Sequence, residues 1–151
     1  MNLTKIYYHK YLLIGFIFSI HSLLISCEEN KYTQCEQIIT LANSVASETK
    51  KIITNKSVEN NEIKNWLNAA EIMTKAAEKM ESLPIKDPQL LHYLGDFVKI
   101  YRTNSEATYS IVKARESRNL VAAQAAQADV KLAGEWERKL SSGINDYCQV
   151  K

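Results

Sequence analysis

The chain has 151 residues, a formal net charge of +2 and three cysteines. A chain of this length forms one domain with a modest hydrophobic core. Of its nineteen basic residues, Lys5 and Lys10 precede Cys27 and seventeen follow it, as do all seventeen acidic residues. The part after Cys27 is therefore neutral overall, which argues against a basic surface for nucleic acid.

The first predicted element is an apolar leader. Lys5, His9 and Lys10 form its charged start, and the fifteen residues 11–25 are mostly apolar. This run is short of the roughly 20 residues that a membrane-spanning helix needs, but it suits the apolar region of a secretory signal peptide. Leu24-Ile25-Ser26-Cys27 closes the segment, and the leader resembles a bacterial lipoprotein signal peptide that ends in a lipobox.

That resemblance implies cleavage before Cys27 and attachment of acyl chains such as palmitate to this residue. Residues 1–26 would be the signal peptide and residues 27–32 a lipidated tether. The protein would then lie in the cell envelope, held on a membrane by lipid and facing the periplasm or the exterior. Two alternatives remain open, namely an ordinary signal peptide cut near Ser26 and an uncleaved N-terminal anchor.

Residues 33–148 are predicted to form an all-α fold. Glycine and proline are scarce there, and no stretch shows the alternation of apolar and polar residues that is typical of a strand. The first helix is predicted to start at Thr33, since Thr33-Gln-Cys-Glu36 fits a capping box. Apolar residues then recur at helical spacing. They are Ile38, Ala42, Val45, Thr49 and Ile52.

A second helix is predicted to end by Leu83, because Pro84 disfavours helical geometry in the residue before it. A third is predicted from Asp87-Pro88, which supplies an N-cap and a proline at the first helical position. The predicted apolar face of the second helix is Ile63, Leu67, Ala70, Met73, Ala77 and Met80. That of the third is Leu91, Leu94, Val98, Tyr101, Thr108, Ile111 and Val112.

The polar residues 115–119 are predicted to separate the third helix from a fourth. An unbroken helix over residues 88–147 would be about 90 Å long, and the first two helices could not cover it. Four helices of similar length with short connections predict an up-down-up-down four-helix bundle. The predicted apolar face of the fourth helix is Val121, Ala125, Ala128, Leu132, Trp136, Leu140, Ile144 and Tyr147.

Two cysteines test this topology. In an up-down-up-down bundle the chain enters and leaves at the same end, so Cys35 and Cys148 should be neighbours and form a disulfide. Such a bridge is typical of oxidising compartments outside the cytosol. Two unpaired thiols are the alternative.

The sequence offers little chemistry and predicts neither an enzyme nor a cofactor. His92 is the only histidine after the leader, and there is no Glu-x-x-His pair for a metal or Cys-x-x-Cys-His for haem. We therefore expect no metal site.

Two sets of residues are candidates for binding a partner. Lys56, Arg115 and Arg118 lie at the predicted end opposite the cysteines. Tyr93, Tyr101 and Tyr109 recur every eight residues on the third helix. They form either an aromatic contact face or packing at the core edge.

The part after the leader resembles helical-bundle lipoproteins predicted in cyanobacteria, through its early Gln34-Cys35 and its Asn145-Asp-Tyr-Cys148 ending. The resemblance implies no activity or cofactor. We expect a lipid-anchored, non-catalytic interaction or structural module, or alternatively a bundle that binds a small ligand between its helices. A buried pocket lined by Tyr101, Trp66 or Trp136 would favour the ligand. A filled core with an exposed apolar patch would favour a protein partner.

Overall fold

The computed structural model of this protein describes residues 28–54 and 62–149, which form four helices. The helices are α1 (Glu28–Thr54), α2 (Glu62–Glu81), α3 (Pro88–Glu116) and α4 (Leu120–Cys148). They pack as a four-helix bundle, and the described residues contain no strand, so the predicted fold class is confirmed. The contacts divide the chain between Thr33 and Gln34, and the bundle belongs to the unit that starts at Gln34.

Several predictions concern residues that lie outside these ranges. They are the signal peptide, the lipidated Cys27 and the partner-binding Lys56. Among the described helices, none combines the length and the apolar character needed to span a bilayer.

The start of α1 differs from the prediction. The helix begins at Glu28, so Thr33 lies inside it and is not its N-cap, and residues 28–32 of the predicted tether are helical. No glycine or proline lies between Glu28 and Thr33, and nothing in the local sequence stops a helix there. The capping-box pattern alone was therefore insufficient to place a helix start.

The other helix boundaries follow their predicted signals. Asp87 caps α3, where its carboxylate accepts hydrogen bonds from the backbone N–H groups of Gln89 and Leu90, both at 2.9 Å. Asn119 caps α4 through the backbone N–H of Ala122 at 3.0 Å. Just before it, Arg118 has φ 53°, the left-handed geometry that turns the chain. The predicted break between the third and fourth helices is confirmed.

Ion pairs between α2 and α3 define their relative direction. Arg102 donates two hydrogen bonds of 2.8 Å to the carboxylate of Glu81. Arg115 pairs at 3.2 Å with Glu62, at the opposite end of α2. Because the later residue of α3 pairs with the earlier residue of α2, the two helices are antiparallel.

The core is filled by large side chains from all four helices. Those with almost no exposed surface are Ile38, Met80, Leu90, Phe97, Tyr101 and Ile144. The predicted face of α1 is confirmed at Ile38, Val45 and Thr49, which are buried.

The predicted face of α3 is correct at Leu94, Tyr101 and Val112 but wrong at Leu91, which is exposed. Its inward side also includes Leu90, Phe97 and Ile100.

One end of the bundle holds a connected set of contacts that we call the disulfide end. Cys35 and Cys148 form the predicted disulfide, with their Cα atoms 5.9 Å apart. Beside it, the side-chain oxygen of Gln34 accepts a hydrogen bond of 3.0 Å from the backbone N–H of Asp87. The Tyr147 hydroxyl donates to the Asp87 carboxylate at 3.0 Å. The starts of α1 and α3 and the end of α4 are thus joined.

Candidate interaction surface

Helix α4 exposes an apolar stripe that the sequence predicts to be core. Val121, Leu132 and Trp136 keep 77, 46 and 40% of their surface exposed, and Ala125 and Ala128 between them are also exposed. These five residues, which we call the α4 face, recur at steps of three and four and share one side of the helix. The prediction that they face the core is wrong.

The prediction is correct at Leu140 and Ile144, which are buried. Nearer the start of α4 the core side lies one residue further along the chain, at the buried Ala126 and Ala133, so that the core side as a whole is rotated by about 100° from the α4 face. Alanines occupy both sides of α4 near its start, so the apolar pattern does not distinguish them. Packing against α3 selects the side with Leu140 and Ile144 and leaves the α4 face in solvent.

At its Trp136 end, the α4 face borders a groove between α3 and α4. This α3–α4 groove has a volume of about 410 Å³ and is lined by Asp96, Lys99, Ile100, Trp136, Lys139 and Leu140. The Lys99 ammonium lies 5.4 Å from the centroid of the Trp136 ring, within range of a cation–π interaction. Ile100 and Leu140, which are buried, form the apolar floor.

The charges of the groove are unbalanced. Lys99 and Lys139 are exposed, and among the described residues no carboxylate lies within 4.0 Å of either ammonium. Asp96 faces the His92 ring at 3.6 Å. The lining thus carries two lysines and one aspartate together with an exposed tryptophan, an excess of one positive charge.

The predicted tyrosine face does not exist as one surface. Tyr101 is 1% exposed and packs against Phe97, with ring centroids 5.9 Å apart. Tyr93 is half-buried, and its hydroxyl donates to the Gly143 carbonyl at 3.1 Å. Only Tyr109 is well exposed. The reason is that a spacing of eight residues rotates 80° per step, which carries the three side chains into different environments.

Two of the predicted tip residues lie in the described part of the chain. Arg115 is exposed and pairs with Glu62 at 3.2 Å, and it lies 5.3 Å from the Trp66 ring centroid. Arg118 is exposed in the turn before α4. The described part of the tip therefore presents two exposed arginines, of which Arg115 is already paired.

A buried tyrosine hydroxyl lies inside the bundle. The Tyr101 hydroxyl has no hydrogen-bond partner among the described residues. Burial raises the pKa of Tyr101, and the charge of Glu137 adds to this effect. Burial also raises the pKa of Glu137. Tyr101 belongs to the hydrophobic core cluster.

A second groove, between α2 and α3, is polar. Its volume is about 330 Å³, and Thr74, Glu78, Arg102, Ser105, Glu106 and Tyr109 line it. The hydroxyls of Thr74 and Ser105 are hydrogen-bonded to each other at 2.7 Å, and Arg102 is bound by Glu81. Three of its six lining side chains, Thr74, Arg102 and Ser105, are thus bonded within the bundle.

No group of three or more His, Cys, Asp or Glu side chains within residues 28–54 and 62–149 is arranged to hold a metal ion. His92, on the surface of α3, lies near Asp96 alone. Comparison of the chain with protein-family models, curated proteins and solved structures found no match.

Proposed function

We propose that this protein is a lipid-anchored, non-catalytic interaction module of the cell envelope that binds a protein partner through the α4 face. The observation that carries the proposal is the combination of a filled core with an exposed apolar stripe. Isolated apolar residues are common on protein surfaces, whereas contiguous apolar patches mark interaction sites. Trp136 and Leu132 are the largest members of this stripe, and tryptophan is the residue type most enriched at the centres of interfaces.

The lipid anchor is supported by the sequence alone. Cys27 directly follows Leu24-Ile25-Ser26 at the end of the apolar leader, and it lies outside the described residues. The Cys35–Cys148 disulfide fits an oxidising location beyond the cytosol.

A substitution tests the anchor directly. Cys27→Ala should abolish labelling of the protein by a radioactive or clickable palmitate and should leave the leader uncleaved by lipoprotein processing. Cys35→Ala is the matched control, because it removes a cysteine that is not in the lipobox. Labelling that persists in Cys27→Ala would refute the anchor.

Site-specific photo-cross-linking tests the interaction surface. A benzophenone amino acid placed at Leu132 or Trp136 should give discrete adducts in the membranes of cells that produce the protein. The same group at exposed Lys64 or Lys79 of α2 is the control, since these positions lie off the α4 face. Adducts at all four positions, or at none, would contradict a specific surface on α4.

The tip is a separate arm of this experiment. Charge reversal at Lys56, Arg115 and Arg118 should leave the α4-face adducts unchanged if α4 carries the interaction. Loss of those adducts in a folded charge-reversed variant would move the partner site to the tip.

One observation favours a second candidate function, the binding of a small amphipathic anion. The α3–α4 groove, at about 410 Å³, falls within the range of roughly 300–1,000 Å³ typical of small-molecule sites. If it holds such a ligand, native mass spectrometry of protein extracted from membranes should show a bound mass that Trp136→Ala removes. A spectrum of unliganded protein alone would argue against this candidate.

A further inference from the structure

We propose that the partner segment bound by the α4 face is an acidic amphipathic helix, whose carboxylates pair with Lys99 and Lys139. This inference rests on the proposed function and adds the chemistry of the partner. It comes from the shape of the surface, the exposed apolar residues and the charges at one end.

The shape and length of the surface fit a helix. The α4 face runs from Val121 to Trp136, which is about 22 Å along the axis, or roughly four helical turns. Ala125 and Ala128 at its middle carry only a methyl group, so a second helix axis can approach closely there. Leu132 and Trp136 follow and offer larger apolar contacts. An exposed stripe of this kind can pack against the apolar side of an amphipathic partner helix, with the α3–α4 groove at its Trp136 end.

The charges of the surface select an acidic partner. Lys99 and Lys139 line the groove together with Trp136, and no described carboxylate lies within 4.0 Å of either ammonium. Near the middle of the α4 face, Asp129 and Lys131 balance each other in charge. In the groove the two lysines outnumber the one lining carboxylate, Asp96, so a glutamate or aspartate beside the apolar side of an incoming helix would meet a small excess of positive charge.

A second copy of this chain fits the surface less well. In a two-fold symmetric dimer both partners use the same patch, so both pairs of lysines would lie at one interface. Their like charges would repel each other there.

A flat lipid surface also fits less well, because Ile100 and Leu140 lie at the floor of a concave groove. A planar bilayer would reach Leu132 and Trp136 but not that floor. An inserted side chain from a helix would reach both.

The binding test uses the full chain reconstituted in phosphatidylcholine vesicles and two labelled helical peptides of 18 residues. Both peptides carry leucine and phenylalanine along one face, and they differ only in having glutamate or lysine beside that face. Fluorescence anisotropy should show the acidic peptide binding at least tenfold more tightly than the basic one. Raising the salt concentration should reduce the difference, because exposed charges are screened.

Variants of the protein make the test specific. Lys99→Glu combined with Lys139→Glu should reverse the preference between the peptides, and Trp136→Ala should weaken the acidic peptide at least tenfold. Lys64→Glu combined with Lys79→Glu is the matched control for charge and should leave the preference unchanged. Circular dichroism of each variant establishes that it is folded.

Three outcomes would overturn the proposal. The first is equal binding of the two peptides, or none. The second is a preference that the Lys99 and Lys139 reversals do not change. The third concerns phosphatidylglycerol vesicles offered to the protein in place of the peptides. If the protein binds these vesicles and Trp136→Ala abolishes that binding, the surface would be assigned to lipid. If the peptides fail while cross-links at Leu132 and Trp136 persist, the proposed function stands with a partner of other chemistry. If the cross-links are also absent, both fail.

Discussion

The Tyr101 hydroxyl provides a sharp test of how the core is packed. The side chain is 1% exposed, and its hydroxyl has no hydrogen-bond partner among the described residues. A buried polar group in this state costs about 1–3 kcal/mol relative to water. Tyr101→Phe removes the hydroxyl and keeps the ring against Phe97. We expect the free energy of unfolding to rise by about 1 kcal/mol.

The same substitution should change the response to alkaline pH. Burial, with a contribution from Glu137, raises the pKa of Tyr101 in the folded protein, whereas an unfolded tyrosine ionises near pH 10. Above that pH the unfolded state releases a proton that the folded state retains, so stability falls as the pH rises. Phenylalanine has no such proton. The advantage of Tyr101→Phe over the wild type should therefore grow between pH 8 and pH 11.

Urea unfolding followed by far-ultraviolet circular dichroism, at pH 8 and pH 11, measures both effects. Tyr93→Phe is the matched control, because the Tyr93 hydroxyl donates to the Gly143 carbonyl at 3.1 Å. Its loss should lower the free energy of unfolding by about 1 kcal/mol. If Tyr101→Phe destabilises the protein as much as Tyr93→Phe does, the hydroxyl has a partner in solution and the reasoning is refuted.

Two further predictions concern the disulfide and the helix glycines. Replacing Cys35 and Cys148 with alanine removes a disulfide between residues 113 apart in sequence. In the chain-entropy description the free energy of unfolding, measured with urea, should fall by about 5 kcal/mol. A fall of less than about 1 kcal/mol would contradict this prediction. Gly134→Ala should stabilise the protein by about 0.5–1 kcal/mol, because a Cβ there meets no atom within 4 Å. Gly143→Ala should gain less, since its Cβ would lie 3.3 Å from the Tyr93 side chain; equal shifts in melting temperature would oppose this reasoning.

The bundle could be predicted from the sequence because several independent features, namely helix caps and the positions of two cysteines, indicate the same topology. Asp87-Pro88 determines the start of α3 through local chemistry, and the polar residues 115–119 separate α3 from α4. The positions of Cys35 and Cys148 then require the ends of the bundle to meet. Local caps and a long-range covalent constraint thus led to the same topology.

The sequence was insufficient to predict which side of α4 is exposed. Ala125 and Ala126 are equally apolar, and periodicity alone cannot separate two alanine-containing sides that are one residue apart. The same uncertainty affects Leu90 and Leu91 on α3, of which only Leu90 is buried. Such choices depend on the neighbouring helix and not on the segment itself.

The α3–α4 groove could not be found from the sequence for a related reason. Lys99 and Lys139 are forty residues apart in the chain and belong to separate helices. Their meeting around Trp136 follows from the packing of α3 against α4. A sequence pattern could have indicated only that Trp136 and Lys139 share one side of α4.

The disulfide end also determines how the protein carries mechanical tension. A pull applied between the residues before Cys35 and those after Cys148 passes through the sulfur–sulfur bond, which joins Cα atoms 5.9 Å apart. The helices between these residues lie on a closed loop and bear almost none of that load. A chain tethered to a surface at one terminus and dragged at the other would thus keep its bundle folded until a thiol opened the bond.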